Sequence, residues 1–450
     1  MRNKARGVCL RVVALFFLVA AVVMLTAVSP EVEAQGGPPL LTLKQSIQIA
    51  LERNFDMLVA REEIQAARER QKEARTGFLP SLSGKYSYRR LSEEPYVVFE
   101  GREIDIADQD QYRLTGTIEQ PLFTGFATLS NYQLSKLGLD VAKVQLARAR
   151  FDVILQVKEA YFGILTAERI QEVREQSVRQ LQAGLEVAEN FYQVGMSPKV
   201  EVLEAEVRLA EAKQELIRAE NGLSLAKARF NTILRRSIDQ EVEVLDILSD
   251  QPYEKPYESC LEIALEKRPE LMEGEKNVAS AEKEITLAKS AYYPKLSVSG
   301  NYYRAGDDPA VNGSDFVDRE NWDVFAEATM TFFEWGKTRY AISQKRARLR
   351  QARQTLEQMK DNIRLEVKTS YLSMQAAEKN IWVAKKSVES AEENFRISRE
   401  RYREQVATAT EVLDAQTRLT EARTNYTSAL AVFNVARARL IRAMGLEEES

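Results

Sequence analysis

Two stretches of this chain, 210 positions apart, keep the same helical time, and few folds accommodate both. In the first, Val202, Ala205, Leu209, Ala212, Leu216, Ala219, Leu223, Ala226, Phe230 and Ile233 are separated by alternating steps of three and four. In the second, Val412, Ala415, Leu419, Ala422, Tyr426, Ala429, Phe433, Ala436, Leu440 and Ala443 fall on the matching positions. That spacing is a heptad seam, narrower than the stripe of an ordinary surface helix, and its many alanines let a second helix approach closely. A seam repeated so faithfully marks an internal duplication.

Each seam helix is entered through a reversal of the chain. Gly195, Ser197 and Pro198 interrupt the first helical pattern, and Gln405 to Thr408 interrupt the second. The seam also runs upstream of both turns, at Val178, Leu181, Leu185, Ala188 and Tyr192, and at Val388, Ala391, Phe395, Ser398 and Tyr402. The upstream helices therefore extend over about 127–193 and 338–403. At 1.5 Å per residue each is on the order of 100 Å long, far beyond a globular domain.

Other segments recur at an offset of 214: Ala50-Leu51-Glu52-Arg53 as Ala264-Leu265-Glu266-Lys267, and Phe78-Leu79-Pro80 as Tyr292-Tyr293-Pro294. Pro80 and Pro294 each stop a helix and begin an extended chain. From there the hydrophobic period drops from 3.6 to 2. Leu82, Gly84, Tyr86 and Tyr88 alternate with polar residues, as do Leu114, Gly116 and Ile118; Leu296, Val298, Gly300 and Tyr302; and Trp322, Val324, Ala326, Ala328, Met330 and Phe332. Segments of roughly ten such residues suit tilted strands that cross a bilayer. The stretches Leu91–Gln111 and Arg304–Glu320, rich in Asp, Glu and Gly, read as exposed loops.

These readings divide the chain into a first repeat, 35–250, and a second, 251–450, separated by a linker with Pro252 and Pro256. The first has a helix, a strand pair over 79–121, a long helix over 127–193 and a helix over 199–236. The second has a helix over 258–291, a strand pair over 293–333, a long helix over 338–403 and a helix over 409–444. Residues 1–34 precede both and read as a signal peptide: Arg2, Lys4, Arg6 and Arg11 are followed by an apolar run to Val28 and by small residues before Gln35.

Composition narrows the function. With no histidine in 450 residues, His-based triads and His metal sites are excluded, and neither a cofactor nor a metal is expected. Of two cysteines, Cys9 lies in the signal segment, which leaves Cys260 without a disulfide partner. A net charge of −4 without a basic patch gives no reason to expect nucleic acid. Four amphipathic strands cannot close a membrane barrel, since the smallest need about eight. An open sheet in lipid would leave edge groups unsatisfied at several kcal/mol each. Strands pooled from three chains make an even-numbered barrel of twelve, so the sequence asks for a closed homotrimer.

The signal segment, the prolines at the strand entries, the repeat, and the turn Tyr192-Gln193-Val194-Gly195 leading into Glu201-Val202-Leu203-Glu204-Ala205 together resemble the TolC-like outer-membrane efflux family. That resemblance covers nearly the whole mature chain. It implies a mainly α protein with membrane β structure: a trimeric twelve-stranded barrel in the outer membrane of a Gram-negative bacterium, continued by a coiled-coil helical barrel in the periplasm. The implied role is the exit duct of a tripartite efflux pump or type I secretion system, docked on a periplasmic adaptor and an inner-membrane transporter. The docking turns are expected at Val194, Gly195, Met196 and Ser197 and at Gln405, Val406, Ala407 and Thr408. Gln405 departs from the pattern, because it stands where the first turn has Gly195.

Beside each apolar seam runs a polar one, with Glu201 and Glu204 in the first copy and Glu411 and Asp414 in the second. By motif match the family's acidic gate falls on Glu411, Asp414 and Glu201, and the polar seam adds Glu204. Read from residues alone, acids in a first helical turn simply favour the positive end of the helix dipole. Arg403 and Arg418 are the expected counter-ions, and Tyr192 and Tyr402 are either latches or plain seam residues. A periplasmic coiled-coil adaptor or a scaffold protein is the alternative. Either explains the seams and leaves four membrane-length strands unexplained. An enzyme lacks support, there being neither histidine nor a glycine-rich phosphate loop.

Overall fold

The computed structural model describes residues 40–447, so the signal-peptide reading lies outside the described residues. Residues 41–240 and 244–447 belong to one compact body. In the first copy, α1 (Leu43–Arg53) and α2 (Phe55–Thr76) lead into β1 (Ser81–Arg90). A small hairpin, β2 (Tyr96–Phe99) with β3 (Arg102–Asp105), precedes β4 (Asp110–Phe123), and α3 (Ala127–Gln193) and α4 (Lys199–Leu234) follow. The second copy runs α5 (Tyr257–Lys267), α6 (Pro269–Lys289), β5 (Lys295–Gly306), β6 (Glu320–Thr329), α7 (Lys337–Arg403) and α8 (Ala409–Ala443). Both long helices contain 67 residues, as the repeat demands.

Each opening helix, expected as one piece, is two. Asn54 takes an extended ψ of 141° and its side chain accepts the Asp56 N–H, capping α2. In the second copy Arg268 is held extended by the following Pro269, which starts α6 at a position where no N–H is needed. The two breaks do the same work with different side chains. Asn54 Nδ2 donates to the carbonyl of Ile233, and Arg268 Nη1 to that of Ala443, the equivalent residue 210 positions on. Each break thus ties the opening helix to the far end of its own seam helix.

Around buried Arg268 lies an ionic cluster that reaches the surface at Glu366 and Asp152. The arginine side chain is 4% exposed; its Nη2 reaches Glu366 at 2.7 Å, and its Nε lies 3.0 Å from Glu270. Arg442 joins the same carboxylates to Asp152 of α3 at 2.7 Å, so four helices meet there. Burial pulls the Glu366 carboxyl upward, and the hydrogen bond and charge of Arg268, with the charge of Arg442, outweigh it and hold the group below its usual range. The apolar core beside this cluster gathers Cys260, Ala264, Val367, Met374, Phe433 and Leu440. Cys260 is therefore a small packed hydrophobe.

The four long strands form one antiparallel sheet in the order β1-β4-β5-β6, so β4 and β5 join the copies and β1 and β6 are open edges. Its register puts Leu82 opposite Ile118, Ile118 opposite Gly300 and Gly300 opposite Val324, which gathers the alternating apolar residues of all four strands on one face. Ser83, Thr117, Asn301 and Asp323 fall on the other, where Thr117 donates to Asn301 Oδ1 and Asn301 Nδ2 to Asp323 Oδ1, both at 2.8 Å. The first loop differs from expectation, because it carries the β2–β3 hairpin on a Glu100-Gly101 turn with both residues at positive φ. The fourth strand also stops at Thr329, short of the expected Phe332.

Both strand-to-helix corners use two successive left-handed residues, Gly125-Phe126 and Trp335-Gly336, one glycine to each corner. At Gly125 a β-carbon would lie 2.4 Å from the Ser290 carbonyl oxygen. Phe126 and Phe123 pack edge-on against Tyr293 at this corner, joining the two copies where sheet meets helix. Below it α3 packs on α4, α7 on α8, and α3 on α8.

Candidate functional site: the hairpin tips

Both turns close with the same hydrogen bonds. Met196 N–H reaches the Phe191 carbonyl and Gly195 N–H that of Tyr192, at 2.7 and 3.0 Å; Val406 reaches Arg401 and Gln405 reaches Tyr402, at 2.8 and 3.0 Å. This is the helix C-cap that places one residue in the left-handed region. Gly195 takes φ 75° without strain, and Gln405 takes φ 59° at a cost of about 1–2 kcal/mol. The departure in the second turn is thus a change of residue with the conformation kept. Val194 and Val406 are each 66% exposed, which leaves apolar side chains on the outermost surface of both tips. Gln405 Nε2 lies 3.7 Å from Met196 Sδ, so the tips also touch each other. Thr408 caps α8 by accepting the Glu411 N–H at 3.3 Å, whereas Pro198 offers α4 no side-chain cap.

Just behind the turns the seam is dry. Leu181, Leu185 and Ala188 of α3 pack on Val202, Ala205 and Leu209 of α4, and Leu413 of α8 joins them. That apolar base positions the four sequence-predicted acids, and the structure brings all four to one end of the helices. Tyr402 Oη donates to Glu201 Oε2 at 3.3 Å, and Thr410 Oγ1 donates to Glu204 Oε2 at 2.7 Å. Arg208 Nη2 sits 3.5 Å from Asp414 and its Nη1 3.3 Å from Glu211. Arg401 Nη1 is 3.7 Å from Glu411. Three of the four acids are therefore held by a group from the other copy.

Arg403 and Arg418, the expected counter-ions, are replaced by Arg401 and Arg208. The reason is helical phase: in a hairpin turning near Gln405, residue 401 faces 411, and two further residues rotate Arg403 by about 200°. Asp414 meets Arg208 because α4 and α8 converge at the tip, a neighbour no reading of one helix supplies. Of the two tyrosines, Tyr402 is a latch and not a plain seam residue. It is half-buried and rests against Phe191 with ring centres 5.5 Å apart. Burial, then the charge of Glu201 and the hydrogen bond to it, push its hydroxyl up to about 12. Its counterpart Tyr192 is 44% exposed. Among the described residues no group of three or more Cys, Asp and Glu is placed to hold a metal ion.

Residues 46–234 and 260–446 match the family described as outer membrane efflux protein, one segment for each copy of the repeat. The chain belongs to the outer membrane efflux protein family. Among curated members, the alkaline protease secretion protein AprF of Pseudomonas aeruginosa is 25% identical over 325 residues, covering 69% of this chain and 64% of AprF. The solvent efflux pump outer membrane protein SrpC of Pseudomonas putida is 24% identical over 67% of this chain and 64% of its own. The chain thus spans about 64% of the length of these curated relatives. Among solved structures, the CmeC outer membrane channel of Campylobacter jejuni superposes with a TM-score of 0.76 at 16% identity, over 91% of this chain and 87% of CmeC. As an efflux-family protein of the outer membrane, the chain places its sheet in the bilayer and its helices in the periplasm.

Proposed function

We propose that three copies of this efflux-family chain close into one tube, an exit duct through which substrate leaves an inner-membrane transporter, passes the periplasm and crosses the outer membrane. The observation that carries the reading is the sheet: four strands with one apolar and one polar face, open at both edges, standing on a pair of 67-residue helices. Such a sheet meets lipid only as part of a closed barrel, apolar face outward. The flanking helices support the same closure. α4 presents Val200, Ile217 and Leu225 to solvent, and α7 presents Leu365, Leu372 and Trp382, so each flank carries apolar residues left without cover in one chain. An adaptor or scaffold leaves this sheet without a use.

The tips are the periplasmic end of the tube. There the turns Val194–Ser197 and Gln405–Thr408 dock a periplasmic adaptor through Val194, Met196 and Val406, while Glu201, Glu204, Glu411 and Asp414 form the gate. AprF by its name serves protease secretion and SrpC solvent efflux, so the family supplies both secretion systems and efflux pumps with such ducts. In this reading carboxylates gathered about one axis favour cations and bind multivalent ones.

Planar-bilayer recording of the detergent-purified protein tests it. The wild type is expected to conduct at low level, to prefer cations and to be blocked by multivalent cations. Glu411→Gln with Asp414→Asn is expected to lose the preference and the block. A monomer soluble without detergent overturns the duct, and block that survives the double substitution overturns the gate assignment.

A further inference from the structure

Behind the tips the long helices enclose a groove of about 860 Å³, lined by α3, α4, α7 and α8. Phe162 and Ile170 face it from α3, Ala219 and Ala226 from α4, and Val432 and Val435 from α8. Val432 is 57% exposed, an apolar side chain left open to solvent. Gly163 and Gly222 also line the groove, each in the middle of a helix that a glycine weakens. A β-carbon at either position would meet nothing within 4 Å, so packing does not require these glycines, and they keep the groove open. The groove runs on through Arg174 and Glu215, and then through Arg208 and Glu211, to Glu204 at the tips. The opposite side of α3 is sealed at this level. Tyr161 lies two residues from Glu159, about 200° round the helix, and its buried hydroxyl is within 3.0 Å of the carbonyl oxygens of Leu41 and Leu245.

The charges of the groove do not balance. Four arginines and two glutamates line it. Arg439 pairs with Glu159 at 2.8 Å and Arg218 with Glu215 at 2.6 Å. Arg174 and Arg229 are left with no ion pair and no side-chain hydrogen bond among the described residues. Equal counts from the turn near Met196 put Arg218 level with Arg174, and Arg229 level with Gly163. The two unpaired guanidiniums thus stand toward opposite ends of the groove, about 16 Å apart along the helix axis and roughly 33 and 50 Å behind the tips. Apolar side chains occupy the space between them.

That arrangement suits one kind of occupant. A guanidinium grips a carboxylate, sulfate or sulfonate through paired hydrogen bonds, and its weak hydration makes it a good partner beside apolar surface. A small inorganic anion would leave the apolar lining in water, and a cation would meet more arginines than acids. The sign is also opposite to that of the tips, where Glu201, Glu204, Glu411 and Asp414 gather.

We propose that this groove is a transit site for amphipathic organic anions, with Arg174 and Arg229 holding the anionic group and Phe162, Ile170 and Val432 receiving the apolar body. The inference rests on the duct reading, in which the groove faces the lumen, and adds a substrate class to it. Three copies would then set six unpaired guanidiniums about one axis, a positive girdle behind the acidic neck. The test is block of current through the detergent-purified protein in a planar bilayer by naphthalene-2-sulfonate, added on the barrel side. Methanesulfonate, the same anionic group without the apolar body, is the control. Naphthalenesulfonate is expected to block the wild type, and methanesulfonate at the same concentration is not. Arg174→Gln with Arg229→Gln is expected to raise the half-blocking concentration roughly tenfold, with block by multivalent cations unchanged. Glu159→Gln frees Arg439 and is expected to lower it. A wild type that naphthalenesulfonate does not block, or a half-blocking concentration that neither change moves, overturns the site. Equal block by methanesulfonate overturns the amphipathic class. In each of these cases a conducting trimer with its cation block leaves the duct standing, whereas a wild-type chain that forms no conducting trimer overturns the duct itself.

Discussion

Tyr402 shows how a seam residue comes to join the two copies. A tyrosine at a heptad position buries its ring by default; what distinguishes this one is a carboxylate of the other copy 3.3 Å from its hydroxyl. Tyr402→Phe keeps the ring and removes the donor, so the helices should pack as before while the hold on Glu201 is lost, raising basal conductance in the bilayer assay without changing trimer yield. The pH dependence has a definite sign. The hydroxyl donates only while protonated, and its folded value, pushed up to about 12, lies above the ordinary 10, so the bond is fully present below pH 10 and is lost as pH rises through about 12. Subtracting the tyrosinate titration of Tyr402→Phe from that of the wild type should leave one transition near the upper value; one near 10 removes the latch. Arg268 is a buried tie between helices. Its removal leaves the Ala443 carbonyl without its donor and leaves Glu270 and Glu366 to Arg442, so Arg268→Met should lower stability by about 1–3 kcal/mol in denaturant unfolding, with ion preference unchanged in whatever folds.

Among elements, the turns separate conformation from composition. Gly195 and Gln405 occupy one backbone shape, and only the glycine does so freely. Gln405→Gly should therefore stabilise the second tip by about 1 kcal/mol, read as slower exchange of the Val406 amide. Gly195→Val places a β-branched residue at φ 75° and should distort the first tip and abolish export, leaving the barrel and the trimer intact; unchanged export would remove that turn from docking. The paired helix breaks follow the same logic. Asn54 and Arg268-Pro269 were readable as capping and pre-proline signals, yet the periodicity of 43–76 and 258–291 runs through both. A helix interrupted by one extended residue keeps nearly the same face, so a count of apolar spacings does not register the break.

For the whole molecule, the sequence by itself determined the duplication, the helix lengths, the alternation that divides lipid from lumen face, and the need for more than one chain. Each follows from local covalent periodicity: 3.5 residues per seam step for coiled helices and two per pleat for strands. It also placed the four acids at one end, because they lie within a few residues of the turns. What it left open is which acid meets which cation and how the copies differ. The seams look equivalent, yet α8 lies between α7 and α3 and buries Gln416, Thr420 and Asn434 on a second face, while α4 has one buried face and one bare. That asymmetry arises because α8 packs on both α7 and α3 within the chain, while α4 packs chiefly on α3 among the described residues. Arg208 rather than Arg418 reaches Asp414 for the same reason, since the approach of two helices distant in sequence is set by packing and not by any spacing along either one.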